Sequence, residues 1–244
     1  MFLPLRDHNP TRRRAYVTIG LIVLNFLVFI YEAGQGREMG LFIARWGATP
    51  FELTHFKDLV GELREIKLVH VPGPTPIHLT ALTSMFLHGG WLHLGMNMLF
   101  LGIFGNNIED FLGSIRFLAL YILWGLFGLA LHVATRPSSP IPVVGASGAI
   151  SGVLGAYLVL YPRARVTSLL FLGFFVQFVE VPAVVLITVW TLFQVVGGIT
   201  SLGSIGGGTA YWAHVGGLAA GWFMMRWLAR EQLEARAWAK NFRS

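Results

Sequence analysis

Long apolar runs nearly free of charge, separated by short segments that hold most of the arginines, constrain this chain more than any other feature. A water-soluble core alternates apolar with polar residues at a period of 2 or 3.6, and these runs do not. They read as membrane spans. The composition points the same way: 55% hydrophobic and 12% charged, with a mean hydropathy of +0.63, is far from soluble-domain usage. Six segments approach the ~20 residues needed to cross a hydrocarbon core of about 30 Å. They are residues 15–31, 91–108, 115–134, 147–161, 182–196 and 213–228. The fourth and fifth hold only about 15 residues each, so they start inside the membrane or sit where the bilayer is thinned. The expected fold class is all-α, a polytopic membrane protein built as a bundle of six transmembrane helices. The stretch 167–179 is also apolar, but Glu180 and Pro182 interrupt it, which predicts an interfacial segment or a broken helix.

The first run follows Arg12, Arg13 and Arg14, as a signal peptide would. It is longer than a usual signal core, however, and Tyr31-Glu32-Ala33-Gly34 is a poor cleavage site, so it reads as a span. Six spans put both termini on one side. With the termini inside, twelve of the eighteen Lys and Arg residues fall on the inner side; of the other six, five lie in one long loop where charge counts matter little. The expected organisation is a cytoplasmic segment 1–14, a membrane domain 15–230 with an outer loop 32–90, and a cytoplasmic tail 231–244. The expected location is a membrane, with both termini on its cytoplasmic side. Within the long loop, residues 38–67 mix charged and apolar residues at near-helical spacing, and Val71-Pro72-Gly73-Pro74-Thr75-Pro76 must break any helix. The net charge of +6 is spread between the apolar runs instead of forming one basic stripe, which excludes nucleic acid as a partner. The chain has no cysteine, which excludes disulfides, thiolate nucleophiles and cysteine-ligated metals.

Polar groups inside apolar spans are costly and face the bundle interior or a wet cavity. In Gly145-Ala146-Ser147-Gly148 a Gly-flanked serine opens the fourth run, and Gly148, Gly152 and Gly155 line one helix face that a neighbouring helix can approach closely. At a helix N-terminus, free N–H groups and the dipole favour a developing oxyanion beside Ser147. In Ala213-His214-Val215-Gly216-Gly217, opening the last run, His214 shares a face with Gly217 and Gly221. Docking that face on the fourth helix would bring a neutral imidazole to the Ser147 hydroxyl, as general-base activation requires. His93 and Asn97, at i and i+4 at the outer end of the second run, offer two donors on the same side. Each motif alone has a plainer use: Ser147 as a cap, His214 as a hydrogen-bonded core histidine, His93 and Asn97 as interhelical bonds. His88 and His93 lack the His-Glu-x-x-His spacing and a third ligand, so no metal is expected, and no cofactor. Glu109 and Asp110, next to Arg116, read as a solvated loop. The glycines at 197, 198, 203, 206, 207 and 208 lack a following Gly-Lys-Ser/Thr and suggest a mobile outer loop.

Together, His93-x-x-x-Asn97, Gly145-x-Ser147-Gly148 and Ala213-His214-x-x-Gly217-x-x-x-Gly221 resemble the signatures of the rhomboid intramembrane serine proteases, of the bacterial type. The resemblance covers about residues 80–227. It implies a six-helix core with a water-filled site, a serine-type endopeptidase with Ser147 as nucleophile and His214 as base, oxyanion stabilisation by His93 and Asn97, and transmembrane protein segments in a lipid bilayer as substrates. Many relatives carry an aromatic residue four positions after the nucleophile, where this chain has Ser151, and a Trp-Arg pair where it has Arg45-Trp46. The alternative is a non-catalytic rhomboid-like factor that binds membrane proteins, a class usually marked by loss of the serine or histidine. A small transporter has neither an inverted repeat nor an intramembrane carboxylate to support it.

Overall fold

The computed structural model describes residues 2–63, 68–172, 175–202 and 208–241. Strand β1 (Phe2–Asp7) leads into helix α1 (Tyr16–Gly34). The segment that follows forms α2 (Met39–Trp46), α3 (Pro50–His55), a short hairpin of β2 (Gly61–Leu63) with β3 (Leu68–His70), and α4 (Thr80–Thr83). Helices α5 (Trp91–Phe100) and α6 (Asn106–Leu112) are joined by a π-helical turn, Leu101–Gly105. Then come α7 (Ser114–Thr135), α8 (Ser147–Leu160), β4 (Arg165–Leu172), β5 (Phe175–Pro182), α9 (Ala183–Ser201) and α10 (Tyr211–Asn241). Each of the six apolar segments is helical. By length and composition α1, α7 and α9 are long and apolar enough to cross a membrane, among the described residues.

Helix α8 is the centre of the core. Every residue from Gly148 to Tyr157 is buried, as expected of a helix apolar on all sides and lacking a polar face to turn outward. Helices α7 and α10 pack along it. Large side chains close the layer around it: Trp124, Tyr121, Phe117 and Phe104 are fully buried. The peripheral helices behave oppositely, with Leu27 and Ile30 of α1 and Leu192, Phe193 and Val196 of α9 turned outward and exposed, a surface that suits lipid better than water.

The structure departs from the sequence expectation in four places. The fold is mainly helical but not all-α, because β4 (Arg165–Leu172) and β5 (Phe175–Pro182) pair antiparallel, Thr167 opposite Glu180 and Leu169 opposite Phe178, with β1 paired on the other edge of β4. That corrects the broken-helix reading of 167–179. Its β-branched and aromatic residues suit strands, and pairing satisfies backbone groups that an irregular segment would leave bare. The alternation is visible in burial, with Val166 and Ser168 inside and Arg165 outside. Gly197 and Gly198 belong to α9 and not to a loop; Tyr211 and Trp212 lie so close to them that a Cβ would clash or press on the ring. Gly203, Gly206 and Gly207 lie outside the described residues. The long segment before α5 holds α2 and α3 as expected, with a strand pair as well, and residues 64–67 of it lie outside the described residues. Finally, Glu109 is buried and is not a solvated loop residue.

Glu109 replaces a missing helix cap. Helix α1 has no side-chain cap of its own at Ala15, yet the first N–H groups of any helix need acceptors. Glu109 accepts from the N–H of Val17 at 2.9 Å and of Thr18 at 2.7 Å, and from the hydroxyls of Thr18 at 2.8 Å and Ser114 at 2.6 Å. Asp110 accepts from the N–H of Arg12 and Arg13 just upstream. Burial by itself would push the Glu109 carboxyl up, but these hydrogen bonds outweigh it and hold it below its usual range. A carboxyl depressed in the folded state adds stability above its unfolded value, and that contribution disappears as pH falls through the folded one. Glu109→Gln should therefore cost about 1–3 kcal/mol at pH 7, with the gap to the native chain narrowing in acid. Thermal unfolding in detergent at pH 7 and at pH 3 checks this, and equal melting at pH 7 would refute it.

Candidate functional site

The turn that presents Ser147 is fixed before the helix begins. Ala48 and Val143 exchange backbone hydrogen bonds at 3.0 and 2.9 Å, Phe51 N–H donates to Ser139 O at 3.0 Å, and Gly145 N–H donates to Ser84 O at 2.8 Å. Gly145 has φ +122, where side chains are strained, and a Cβ there would lie 2.8 Å from the His93 ring. Glycine is thus required on two counts. Ser147 then opens α8, half-buried between buried Ala146 and Gly148.

His214 reaches it because α8 and α10 nearly touch backbone to backbone. A Cβ on Gly217 would overlap the carbonyl of Gly148, one on Gly221 that of Gly152, and one on Gly155 that of Leu218. Small residues allow such an approach, which aligns the N-terminal turns of the two helices. Ser147 Oγ and His214 Nε2 are 2.7 Å apart. The other ring nitrogen, Nδ1, is 2.7 Å from Gln194 Oε1 of α9. Trp190, one turn earlier on α9, lies against the imidazole with centroids 5.7 Å apart and planes tilted by 33°. The site opens into a cavity of about 1600 Å³ lined by Ser147, His214, His93, Asn97, Trp190 and His132 among others.

In the same cavity wall, beyond Gly145, Gly89 N–H donates to His93 Nδ1 at 3.4 Å. That leaves Nε2 to carry the ring proton, on the edge of the ring that faces Gly145. Asn97 Nδ2 donates to His93 O at 2.9 Å within the helix, with a second N–H still available. The arrangement can deprotonate a hydroxyl at a helix start and offer donors to negative charge beside it. His88 and His93 have ring centroids 5.0 Å apart; no group of three His, Asp or Glu suited to a metal ion occurs among the described residues.

Ser151 lies one turn into α8, four positions after Ser147. Its hydroxyl donates to Ser147 O at 2.6 Å within the helix, and the imidazole is flanked by Trp190 instead. Sequence reasoning missed Trp190, Gln194 and the buried His132. A signal for Gln194 existed, since a lone amide in an apolar run, seven residues after Ile187 and four before Gly198, sits on the buried face of α9. Glu32 was also missed. It lies in the last turn of α1, fully buried, and accepts from His88 N–H at 3.0 Å, so a buried carboxylate does exist.

Residues 78–231, more than half of the chain, match the model of the Rhomboid domain family. The chain belongs to the rhomboid family. With its long apolar helices, membership makes it an integral membrane protein. The matched region runs from the approach to α5 into α10 and contains all the residues of the site. Rhomboid protein 1, mitochondrial, of Saccharomyces cerevisiae is 40% identical over 92 residues, 36% of this chain and 27% of that protein. Rhomboid protease GluP of Bacillus subtilis is 46% identical over 77 residues, 32% of this chain and 15% of that protein. RHOMBOID-like protein 4 of Arabidopsis thaliana is 36% identical over 143 residues, 59% of this chain and 32% of that protein. The aligned part thus covers less than a third of each of these relatives.

The glycine contacts generate a test of how the site is held. In this rhomboid, Gly217→Leu should force α10 away from α8 and lower stability by about 1–3 kcal/mol or more, the usual cost of overpacking. Melting in detergent measures it, and an unchanged melting temperature would show that the close approach is not needed.

Proposed function

We propose that this rhomboid is an intramembrane serine endopeptidase that cleaves transmembrane segments with a Ser147–His214 dyad. The observation that carries the reading is the 2.7 Å separation of Ser147 Oγ and His214 Nε2 at the wall of a large cavity. Hydrolysis needs water, and a cavity among apolar helices supplies it below the lipid surface. In this reading the spans number six, residues 15–31, 91–108, 115–134, 147–161, 182–196 and 213–228, with Glu109 just beyond the second. Helix α8 can be short because protein, not lipid, surrounds it, and the positive-inside pattern puts both termini in the cytoplasm. The membrane domain covers residues 15–230.

His214 Nε2 takes the Ser147 proton as Oγ attacks the carbonyl carbon of the scissile bond. The tetrahedral oxyanion is held by His93 Nε2–H, Asn97 and the free N–H groups that open α8. His214 then gives its proton to the leaving amine as the C–N bond breaks, leaving an ester on Ser147. A water from the cavity, deprotonated by His214, attacks that ester and releases the new carboxyl end. Gly148, Gly152, Gly217 and Gly221 serve by packing. A substrate helix hides its carbonyls in its own hydrogen bonds, so weakly helical transmembrane segments are the class expected to be cut.

Cleavage of a single-span reporter in liposomes tests the reading. Ser147→Ala should lower the rate at least ~10⁴-fold; equal cleavage by both forms would remove Ser147 from the mechanism, and no cleavage by either would leave the non-catalytic, client-binding alternative. Asn97→Ala should lower kcat by about 10²-fold while leaving melting little changed, and a large drop in melting temperature with unaltered kcat would assign Asn97 to packing instead.

A further inference from the structure

We propose that Gln194 is a positioning residue for the dyad, its amide carbonyl holding the His214 ring proton on Nδ1 so that Nε2 faces Ser147 as an acceptor. The proposal rests on the dyad reading above and adds to it a third group that sets the state of the base.

A neutral imidazole carries one proton, and it can serve as base toward Ser147 only when that proton is on Nδ1. In the other tautomer Nε2 points an N–H at the serine oxygen and cannot accept from it. The choice is therefore made at the far nitrogen. Gln194 Oε1 lies 2.7 Å from Nδ1, and a carbonyl oxygen only accepts, so the contact is a hydrogen bond only with the proton on Nδ1. Trp190 flanks the ring at 5.7 Å, but an aromatic face does not discriminate between the two nitrogens. Ser151, on α8, is committed to the Ser147 carbonyl. Tautomer selection thus falls to the amide.

The placement of Gln194 also needs a reason. It is 8% exposed on a helix whose other face is apolar and bare, and a buried amide without a partner is unfavourable. The other buried residues of α9, Ala183, Leu186, Ile187 and Gly198, have no side-chain polar group. The imidazole is its partner. The helix that carries it is fixed at its far end as well, where the Arg136 guanidinium from the end of α7 donates to Ser201 O. The amide is therefore delivered to Nδ1 by a docked element and not by a loop.

The full chain in liposomes, with a single-span reporter, gives kcat and KM, and nitrogen-15 magnetic resonance of labelled histidine reads the His214 tautomer without any substrate. Gln194→Met, close in size but without an acceptor oxygen, should lower kcat by about 10²-fold. KM should stay within about threefold, with unchanged melting and a mixed tautomer at His214. Gln194→Glu, which restores an acceptor, should recover kcat to within about tenfold of the native chain and keep Nδ1 protonated. Should the methionine form fold poorly, Gln194→Asn, too short to reach Nδ1, takes its place with the same expected loss. Native kcat in the Met or Asn form, or an Nδ1-protonated His214 in every form, would overturn the proposal. Failure of the protease reading is separable: the native chain and Ser147→Ala would then cleave alike, while the tautomer measurement would still judge Gln194.

Discussion

The contact on which the rest depends is the near-touch of α8 and α10. Gly217 and Gly221 face the carbonyls of Gly148 and Gly152 with no room for a side chain, so the two helix starts lie side by side. Ser147 and His214 are 67 positions apart in sequence and meet only because of this. Lipid tails are as apolar as a leucine side chain, so burial drives helix association weakly in a bilayer and close van der Waals contact takes its place. One set of small residues therefore holds the core together and sets the geometry of the site.

Polar groups secure the two ends of this core in different ways. At one end Glu109 gathers the first N–H groups of α1 and ties in Ser114 at the start of α7, while Asp110 takes the N–H groups of Arg12 and Arg13 just upstream. Asp7 accepts from Tyr157 and Asn107 at 2.7 and 2.6 Å, which ties β1 to α8 and α6. Burial pushes the Asp7 carboxyl up, and those hydrogen bonds offset part of the rise. At the other end, backbone bonds from Ser84, Ala48 and Phe51 hold the 139–145 segment rigid, leaving Ser147 and His214 to face the cavity. The first end is saturated with hydrogen bonds, whereas the second leaves side-chain donors and the His214 imidazole facing the cavity.

Much of this was legible along the chain. Each of the six long apolar runs is helical, because an uninterrupted apolar stretch in lipid must satisfy its backbone internally. The glycines at spacing of three and four were visible as a docking face, and Ser147, His214, His93 and Asn97 stood out as polar groups at the ends of such runs. The misreadings have a common cause. Glu109 looked solvated because its partners at the α1 N-terminus lie more than ninety positions away, and the strand at residues 165–172 went unread because β1, one of its two partners, lies more than one hundred and fifty positions away. Gln194 was passed over because one amide in an apolar helix carries no motif.

The sequence by itself determined the solvent, the number of apolar segments and which faces would be small, since these follow from composition and period. Only the tertiary structure decided that Nδ1 of His214 meets an amide, that Trp190 flanks the ring where Ser151 cannot, and that a carboxylate caps a distant helix. Those contacts join separate elements, and their distances are fixed by how close backbones can come, a quantity that no single segment contains.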